Sequence, residues 1–557
     1  MVATMLQAQN MVYLEHSETL SFDERRLPDA QILNGNVRFR HENALMYCDS
    51  AYFYEKTNSV RAFGRVHFEQ GDTLHGYGDI LYYDGNTKVA RLRRHVKLIH
   101  KQTTLSTDSL NYNRIENIAY YFSGGTIQDS LNTLSSVWGQ YRPDSHQALF
   151  RHTVHLQNSS FTLDADTLLY NTQTNIANLV TPTTIVYQGE TTILSSNGWY
   201  NTANEKSMLL DRSQIIHTDG KQMTGDTIFY DKQNGFGRII RHIEMADTVQ
   251  KMTLYGNYGE VYEKDKRGFV TDSAMMIDWS QKEKTYIHAD TLFTEPIPYQ
   301  ITALVPKDSL WVDSVMVAQA PDTIHKDTTY RQLRAFFHVR AYNKEYQLVC
   351  DSMVYNGKDS IITLYQQPLC WNQTNQISAD TIRAFILNGS IDHIHGIGSA
   401  IAAKQETPDY FDQLSGKMMI AYIRDGEIKQ VDVNGNAETI FFPKEDDGTI
   451  IGINKTQSSY VKIFLEKQQI HHITFTTKTT GTMYPLDQIE KEKMFLVNYF
   501  WADKERPASP DDIFARPERT QRPTQKAISA TADDEEEENS KINKQAKRNR
   551  KKKNTLL

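Results

Sequence analysis

A three-part pattern recurs about every thirty residues through the first half of this chain and constrains its fold more than any other feature. The first part is usually an acidic residue, then small and apolar residues, and it ends in a tyrosine, as in Asp79-Ile-Leu-Tyr-Tyr83 and Asp108-Ser-Leu-Asn-Tyr112. The second part follows a polar turn and contains a small residue between apolar ones, as in Val89-Ala90-Arg91-Leu92. The third part contains two apolar residues separated by a polar one, as in Val96-Lys-Leu98. Repetition of short strand-like segments at a fixed period predicts a stacked β architecture rather than an enzyme pocket.

Within each segment, apolar residues alternate with polar ones. Val66 and Phe68 flank His67, for example, and Val96 and Leu98 flank Lys97. A period of two places one face of each strand in a dry interior and the other face in water. Helical spacing is nearly absent before residue 480, so we predict an all-β fold made of strands of about four to six residues joined by tight turns.

Composition excludes some function classes. The formal net charge of −7 is small for 557 residues, which argues against a nucleic-acid partner. No stretch reaches the roughly 18–20 apolar residues of a membrane-spanning helix.

The first nine residues, MVATMLQAQ, lack a basic region but are similar to the end of a signal peptide. We therefore expect a start codon upstream of the assigned one and an exported protein.

Three cysteines, Cys48, Cys350 and Cys370, are too few for a disulfide framework. Cys48 and Cys350 each precede the acidic residue of the repeat, which favours a small buried position in the core. The sequence leaves a Cys350–Cys370 disulfide open, because the two residues can lie on neighbouring strands.

The pattern also divides the chain. Residues 1–27 form an N-terminal segment, and 28–293 form a first region of repeats. A proline-containing linker or excursion covers 294–330, after which the pattern resumes over 331–503. We predict that 504–557 is a linker followed by a disordered tail, because an acidic run and a basic run without apolar residues cannot form a core.

Motifs for catalysis or cofactor binding are missing from the sequence. It holds no glycine-rich phosphate loop, HExxH, CxxC or GxSxG motif. The histidines are scattered, and His67, His155 and His217 occupy the polar position of the third segment, where we expect them to face solvent. The repeated aspartates are too regular for one active site, so a turn-stabilising or ladder role at strand starts is expected. We predict no catalytic residue, no metal ligand and no cofactor.

The repeated segments resemble the OstA-like (organic solvent tolerance) proteins, the LptA superfamily of periplasmic lipopolysaccharide transport, and in particular the long Bacteroidetes-type form. The segments that carry the resemblance are Gly35-Asn-Val-Arg-Phe39, Gly64-Arg-Val-His-Phe68 and Gly225-Asp-Thr-Ile-Phe-Tyr-Asp231. The resemblance extends from about Pro28 to Ile513. It implies an extended, repetitive β-jelly roll, open along one side like a solenoid, whose apolar groove shields acyl chains in water.

The resemblance also implies partners and a location. The ligand would be lipopolysaccharide or a related glycolipid, and other jelly-roll transport proteins would join end to end by strand addition. The implied location is the periplasm, with peripheral attachment to the outer membrane left open. Candidate groove residues are the apolar residues that alternate along the predicted strands: Val37, Phe39, Val66, Phe68, Val96, Leu98, Ile127, Val154, Leu156, Ile185, Ile215, Ile243 and Met245. An ordinary closed core is the competing interpretation of each of these residues.

A second interpretation of the repeat is a right-handed β-helix that binds polysaccharide or serves as a structural surface protein. Such a protein shares the short strands and the regular period. A polysaccharide lyase of this type would show a local break with clustered Asp, Arg or Lys residues, and no such break stands out in the sequence. A structural protein differs from a lipid carrier because no lipid would copurify with it.

Overall fold

The computed structural model describes residues 11–305, 310–312, 315–317, 322–445, 447–466 and 469–522. The expected signal-peptide remnant and the charged tail lie outside these residues. The chain divides into two compact units. Unit 1 comprises the residues up to Val249 together with Glu260–Lys264, and unit 2 comprises Gln250–Gly259 and the residues from Asp265 onward. The described part of the chain is nearly all β-strand, which confirms the predicted fold class.

The strands of the first part of the chain are β1 Tyr13–His16, β2 Thr19–Phe22, β3 Gln31–His41, β4 Ala44–Tyr54, β5 Ser59–Gln70, β6 Leu74–Asp84, β7 Val89–His100, β8 Thr103–Asn113, β9 Ile118–Tyr121, β10 Gly125–Gln128, β11 Thr133–Ser136, β12 Trp138–Arg142, β13 Gln147–Gln157, β14 Phe161–Asn171, β15 Ile176–Leu179, β16 Thr183–Tyr187, β17 Thr191–Ser195, β18 Gly198–Asn201, β19 Lys206–His217, β20 Lys221–Asp231 and β21 Phe236–Asp247.

The strands that follow are β22 Met252–Tyr262, β23 Arg267–Asp278, β24 Thr285–Val305, β25 Leu310–Val312, β26 Val315–Val317, β27 Asp322–Tyr342, β28 Gln347–Asn356, β29 Ile361–Tyr365, β30 Leu369–Asn372, β31 Asn375–Ser378, β32 Thr381–Leu387, β33 Ser390–Gln405, β34 Phe411–Arg424, β35 Glu427–Phe441, β36 Ile453–Glu466, β37 Gln469–Thr476 and β38 Thr480–Tyr484. Short 3₁₀ helices occupy Glu55–Thr57, Leu486–Gln488, Lys491–Met494, Asp503–Glu505 and Asp511–Phe514. Among the described residues, no helix has the length and apolar character needed to cross a membrane.

Strands that follow one another along the chain pair antiparallel within each unit. In unit 1, β5 pairs with β4 and with β6, and in unit 2, β34 pairs with β33 and with β35. A right-handed β-helix is built from parallel strands. The antiparallel pairing therefore excludes the β-helix considered above.

Most long strands turn sharply near their middle. In β5 the pairing register shifts between Phe63 and Val66, and the two residues between them, Gly64 and Arg65, have φ angles of +74° and +40°. Two successive left-handed residues bend a strand and redirect its side chains. Glycine suits the first position, because a Cβ on Gly64 would lie 2.5 Å from the carboxylate of Asp49. We call this turn the crease.

The crease divides each unit into two half-sheets. Half-sheet A contains, for example, Ser59–Phe63 of β5 paired with the end of β6, and half-sheet B contains Val66–Gln70 paired with the start of β6. A strand of 11 or 12 residues thus supplies four to five residues to each half-sheet, which correspond to the short segments predicted from the sequence. The inner faces pack against each other, since the rings of Phe39 in half-sheet B and Phe53 in half-sheet A lie 5.5 Å apart.

The repeated aspartates lie at the crease. Asp49, in the middle of β4, accepts a hydrogen bond of 2.7 Å from the guanidinium of Arg65, which is one of the two left-handed residues of β5. Asp79 in β6 is paired in the same way with His95 of β7, at 2.7 Å. Their role is thus structural, as expected, although they stand at the middle of the strands rather than at their starts. Further crease pairs are Asp166 with His152 and Asp226 with His242.

The tyrosine that ends the first segment fills the interior of half-sheet A on the side away from the crease. Tyr83 pairs across the sheet with Ala90, Ala90 with Tyr112, and Tyr112 with Ala119. Alternation of a large ring and a small side chain continues along unit 1, because each ring needs a small neighbour beside it. We call this row the tyrosine ladder; it consists of Tyr83, Tyr112, Tyr141, Tyr170, Tyr200 and Tyr230, all buried.

Opposite the crease, the turns of the two half-sheets face each other along a seam, and side chains connect them. The hydroxyl of Tyr83 lies 2.6 Å from His41 Nδ1, and Arg114 donates a hydrogen bond of 2.7 Å to the same hydroxyl. Tyr170 donates to Asp129 at 2.7 Å. Burial raises the pKa of these ladder tyrosines, so the hydroxyls stay protonated at neutral pH. The seam of unit 1 is therefore closed by polar side chains over an apolar interior.

Within 294–330, which were expected to form a linker or an excursion, the described residues of β24 and β27 form a long hairpin in unit 2. β24 and β27 pair continuously from Thr291 with Phe336 to Val305 with Asp322. Proline at positions 296 and 298 does not prevent this pairing.

A segment from Leu486 to Arg522, which we call the strap, packs on the outer face of half-sheet B in unit 2. Buried glutamines of that face bind its backbone: Gln413 accepts a hydrogen bond from Leu496 N–H at 2.8 Å, and Gln376 accepts one from Ala502 N–H at 2.9 Å. Ile513 is fully buried. The prediction of a linker from residue 504 is therefore wrong for 504–522, because an apolar outer face and buried amide groups fix this proline-rich segment.

The tyrosine ladder gives a stability prediction. Replacing Tyr112, which is fully buried, with alanine should lower the free energy of unfolding by about 3–5 kcal/mol, because it leaves a cavity between the half-sheets. The matched control is Tyr120→Ala on the outer face, which is 36% exposed and should change that free energy by less than about 1 kcal/mol. Urea unfolding followed by circular dichroism measures both, and equal losses for the two variants would contradict the ladder.

Candidate functional site: the interior between the half-sheets

The thirteen residues predicted to line a groove all lie in unit 1, between the two half-sheets. Eleven of them are buried, each at most 2% exposed, whereas Ile215 and Met245 are half-buried. The alternation therefore places them on the inner face, as expected. Whether they contact a lipid stays a prediction.

Opposing side chains fill the interior of unit 1. The ring of Phe68 in half-sheet B lies 5.7 Å from the ring of Tyr112 in half-sheet A, and Phe161 lies 4.8 Å from Tyr200. Contacts of this kind leave no room for an acyl chain unless the half-sheets separate. Separation at the seam would break side-chain hydrogen bonds but would leave the backbone pairing within each half-sheet intact.

The interior of unit 2 differs, because inward-facing apolar residues are partly exposed there. In half-sheet A, Met353 and Leu364 lie next to the crease, pair with each other and are each 2% exposed. The next inward pair toward the seam is Tyr355 with Ile362, and both are half-buried. Other half-buried residues in the same row are Ile394, Val431 and Ile473.

Half-sheet B of unit 2 shows the same partial exposure. Leu348 pairs with Cys370, Cys370 with Ile377, and Ile377 with Ala402, and all four side chains are half-buried. By alternation they share the inner face, since the outer face carries Trp371 and Gln376 beneath the strap. Two rows of partly exposed apolar side chains thus line a groove between the half-sheets, which we call the unit 2 groove.

Side-chain size explains why unit 2 is open where unit 1 is closed. In unit 1 the corresponding inner positions of half-sheet B hold large residues such as Phe39 and Phe68. In unit 2 they include Ala341, Cys370 and Ala402. The tyrosine ladder also ends, so that beyond Tyr355 the row of half-sheet A contains isoleucine, alanine and valine. Smaller side chains cover less of one another across the interior, in agreement with the partial exposure of the two rows.

Cys350 and Cys370 lie on the paired strands β28 and β30, an arrangement that the sequence left open, and both thiols are free. Burial raises the pKa of Cys370 to about 12 and that of Cys350 well above its usual value. Thiolates are therefore scarce at neutral pH, and the two cysteines contribute small apolar surface.

Charged residues flank the seam end of the unit 2 groove. Asp412 accepts a hydrogen bond of 2.9 Å from the backbone N–H of Phe442, and Glu406 forms ion pairs with Lys404 and Lys444. Burial, assisted by the nearby charge of Glu406, raises the pKa of Asp412 to about 7. The apolar groove thus ends at a polar rim.

Sequence reasoning missed the unit 2 groove. The alternation of Leu348 and Cys350, or of Ile377 and Ala379, has the same period as in unit 1, and it does not show whether opposing side chains fill the space. One signal was available: the tyrosines recur about every thirty residues up to Tyr230, and the positions after Tyr355 no longer carry them. A second was Leu369-Cys-Trp371, which is apolar on both faces and so requires a cover on each.

Comparison with known proteins agrees with this architecture in the first part of the chain. Residues 9–166 match the model of the OstA-like protein family. Within the described residues, the matched part runs from β1 to the middle of β14 and includes the first creases and the start of the tyrosine ladder. The predicted resemblance to OstA-like proteins is thereby confirmed for this part of the chain. No curated protein matches the chain.

The rim of the unit 2 groove gives a prediction of pH dependence. The native pKa of Asp412 is about 7, whereas an unfolded aspartate titrates near about 4. Between these values the native state binds a proton that the unfolded state does not bind, so stability falls as the pH rises from about 4 to 7. Asp412→Asn, which keeps the acceptor for Phe442, should flatten this slope in urea unfolding, whereas the exposed control Asp409→Asn should not. An unchanged slope in Asp412→Asn would contradict the assignment.

Proposed function

We propose, from the OstA-like character of residues 9–166, that the protein binds a glycolipid of the lipopolysaccharide type and carries it through the periplasm toward the outer membrane, without catalysing a reaction. The observation that supports this best is the unit 2 groove, in which inward-facing apolar side chains of both half-sheets remain partly exposed. Exposed apolar surface inside a soluble fold is typical of a binding site.

The energetics favour an acyl chain as the ligand. Each methylene that leaves water contributes about 0.8 kcal/mol, so a dozen methylenes contribute on the order of 10 kcal/mol before the entropic cost of ordering the chain. Ile362, Ile394 and Leu348 offer such contacts without polar partners that a lipid tail could not satisfy. The sugars and phosphates of the ligand would stay at the seam in water, next to the charged rim.

In this proposal, unit 1 binds lipid only after its two half-sheets separate at the seam. Its interior is closed, so residues such as Phe68 and Leu98 reach a lipid only when the seam opens. Opening requires side-chain hydrogen bonds such as that from Arg114 to Tyr83 to break, and the net contribution of each is about 1–3 kcal/mol. We therefore propose that unit 2 holds lipid in the resting state and that unit 1 admits lipid by parting along the seam.

Photo-crosslinking from defined positions tests the proposal. With p-benzoylphenylalanine at Ile394, which faces inward in unit 2, we expect crosslinks to lipopolysaccharide, and none from the outward-facing neighbour His395. The matched pair in unit 1 is Leu98 and Lys97, where crosslinks from Leu98 alone would show that the seam opens. Crosslinks from His395 or Lys97 only would contradict a lipid site between the half-sheets, in favour of binding on the outer surface.

We further propose end-to-end strand addition at β2. All four residues of this terminal strand of half-sheet A are exposed, with Leu20 at 56% and Phe22 at 59%. Within the described residues β2 pairs only with β3. The backbone N–H of Glu18 donates to Gly35, so by alternation the N–H of Ser21 points away from β3. An exposed apolar edge with outward N–H groups is suited to pairing with another strand.

Ser21→Pro tests this edge with a second copy of the chain as the partner. Proline removes the outward N–H without disturbing the pairing to β3, so association should weaken at least about tenfold while the monomer stays folded. Light scattering over a range of protein concentrations measures the association, with Ser21→Ala as the control. Equal weakening in both variants, or monomers at every concentration in the unmodified chain, would contradict self-association through β2.

A further inference from the structure

Three side chains with metal-binding groups meet on the outer face of half-sheet B in unit 1. His67 and Glu69 are two residues apart on β5, and His75 on β6 pairs directly with Glu69. Residues two apart on a strand share a face, and a directly paired residue joins them there. The three side chains are half-buried, with exposed fractions of 27%, 24% and 32%.

The distances between the candidate ligand atoms suit a four-coordinate ion. His67 Nε2 and His75 Nδ1 are 3.3 Å apart, and Glu69 Oε2 lies 4.0 Å and 3.9 Å from them. Ligand atoms bound at about 2.0–2.2 Å to tetrahedral Zn²⁺ are separated by roughly 3.3–3.5 Å. The two nitrogens already have this separation, and the carboxylate needs to move by only about half an ångström.

Neighbouring residues hold the ligands in place. The hydroxyl of Tyr47 donates a hydrogen bond of 2.9 Å to Glu69 Oε1, which leaves Oε2 directed toward the histidines. The ring of His67 stacks on Tyr77 at 4.5 Å, with an interplanar angle of 2°, and on Tyr47 at 5.5 Å. A hydrogen bond to the second carboxylate oxygen and a fixed imidazole orientation are the supports that metal ligands usually have.

The local charges also favour a cation. The carboxylate of Glu69 lies within 4.0 Å of both imidazole rings, so the three side chains together offer two nitrogen ligands and one anionic oxygen ligand. Imidazole nitrogens and a carboxylate oxygen are donors that divalent transition metal ions accept.

We propose that His67, Glu69 and His75 form a binding site for a divalent transition metal ion of the Zn²⁺ type, with the fourth position open to solvent. Two imidazoles and one carboxylate are a ligand set that zinc accepts while keeping an exchangeable position. The expectation that His67 simply faces solvent considered this residue alone, whereas β6 brings His75 beside it. This site is on the outer face and does not depend on lipid binding.

Cobalt substitution in the full-length protein tests the site. After treatment with a chelator, titration with Co²⁺ should produce the intense visible absorption of four-coordinate cobalt, saturating at one ion per chain and displaced by Zn²⁺. His67→Gln and His75→Gln should each abolish this absorption. The matched control is His95→Gln at an exposed crease histidine that is paired with Asp79, which should leave the absorption unchanged.

A third variant separates metal binding from folding. Tyr47→Phe keeps the ring that stacks on His67 but removes the hydrogen bond to Glu69, so the affinity for Zn²⁺ should fall about tenfold with an unchanged thermal unfolding midpoint of the metal-free protein. The proposal is overturned if Co²⁺ gives only the weak spectrum of six-coordinate cobalt, or if the absorption survives in His75→Gln. Either result would show that His67 and His75 share a hydrogen bond and no metal ion.

Discussion

The crease is the constraint on which the rest of the structure depends. Two successive residues with positive φ, such as Arg94 and His95, redirect each strand so that its two halves enter facing half-sheets. Left-handed backbone is unfavourable for residues other than glycine, and the bend persists because a carboxylate on the neighbouring strand, here that of Asp79, binds the second residue. Each such pair is exposed and weak on its own. Their repetition in register aligns the creases within each unit, and aligned creases enclose an interior between the two half-sheets of that unit.

Much of this architecture could be predicted from the sequence, because alternation and repeat spacing are local properties. The inner positions of Val66 and Phe68 follow from a period of two, and the structural role of Asp49 follows from its recurrence. The crease itself was harder to predict. The residue that follows the first left-handed position varies in type, as in Arg65, His95 and Ser273. A strand of 11 or 12 residues with a bend also reads as two shorter strands.

Whether side chains fill the interior could not be predicted. The answer depends on the combined side-chain volume of two facing half-sheets and not on the residues of any single strand. Phe68 and Cys370 both occupy inner positions, yet Phe68 is fully buried against the ring of Tyr112 whereas Cys370 is half-buried. The interior is filled only where each large side chain has a small residue next to it on the neighbouring strand, as Tyr112 has Ala90. Unit 2 keeps the creases but lacks this complementarity. The apolar segment Leu369-Cys-Trp371 indicated that a cover is needed but not which segment supplies it, since Gln376 and Gln413 show their role only when a distant segment folds over them.

The two faces of one half-sheet can thus serve different chemistry without interference. Along β5, Val66 and Phe68 point into the apolar interior, while His67 and Glu69 point outward at the proposed metal site. A lipid that enters between the half-sheets contacts only the first pair, and an ion on the outer face contacts only the second. In unit 2 the strap occupies the outer face of half-sheet B, so ligand access there is confined to the inner face. Under the proposed functions, the same alternation that builds the sheet therefore determines which face of each unit would contact lipid and which would contact a metal ion.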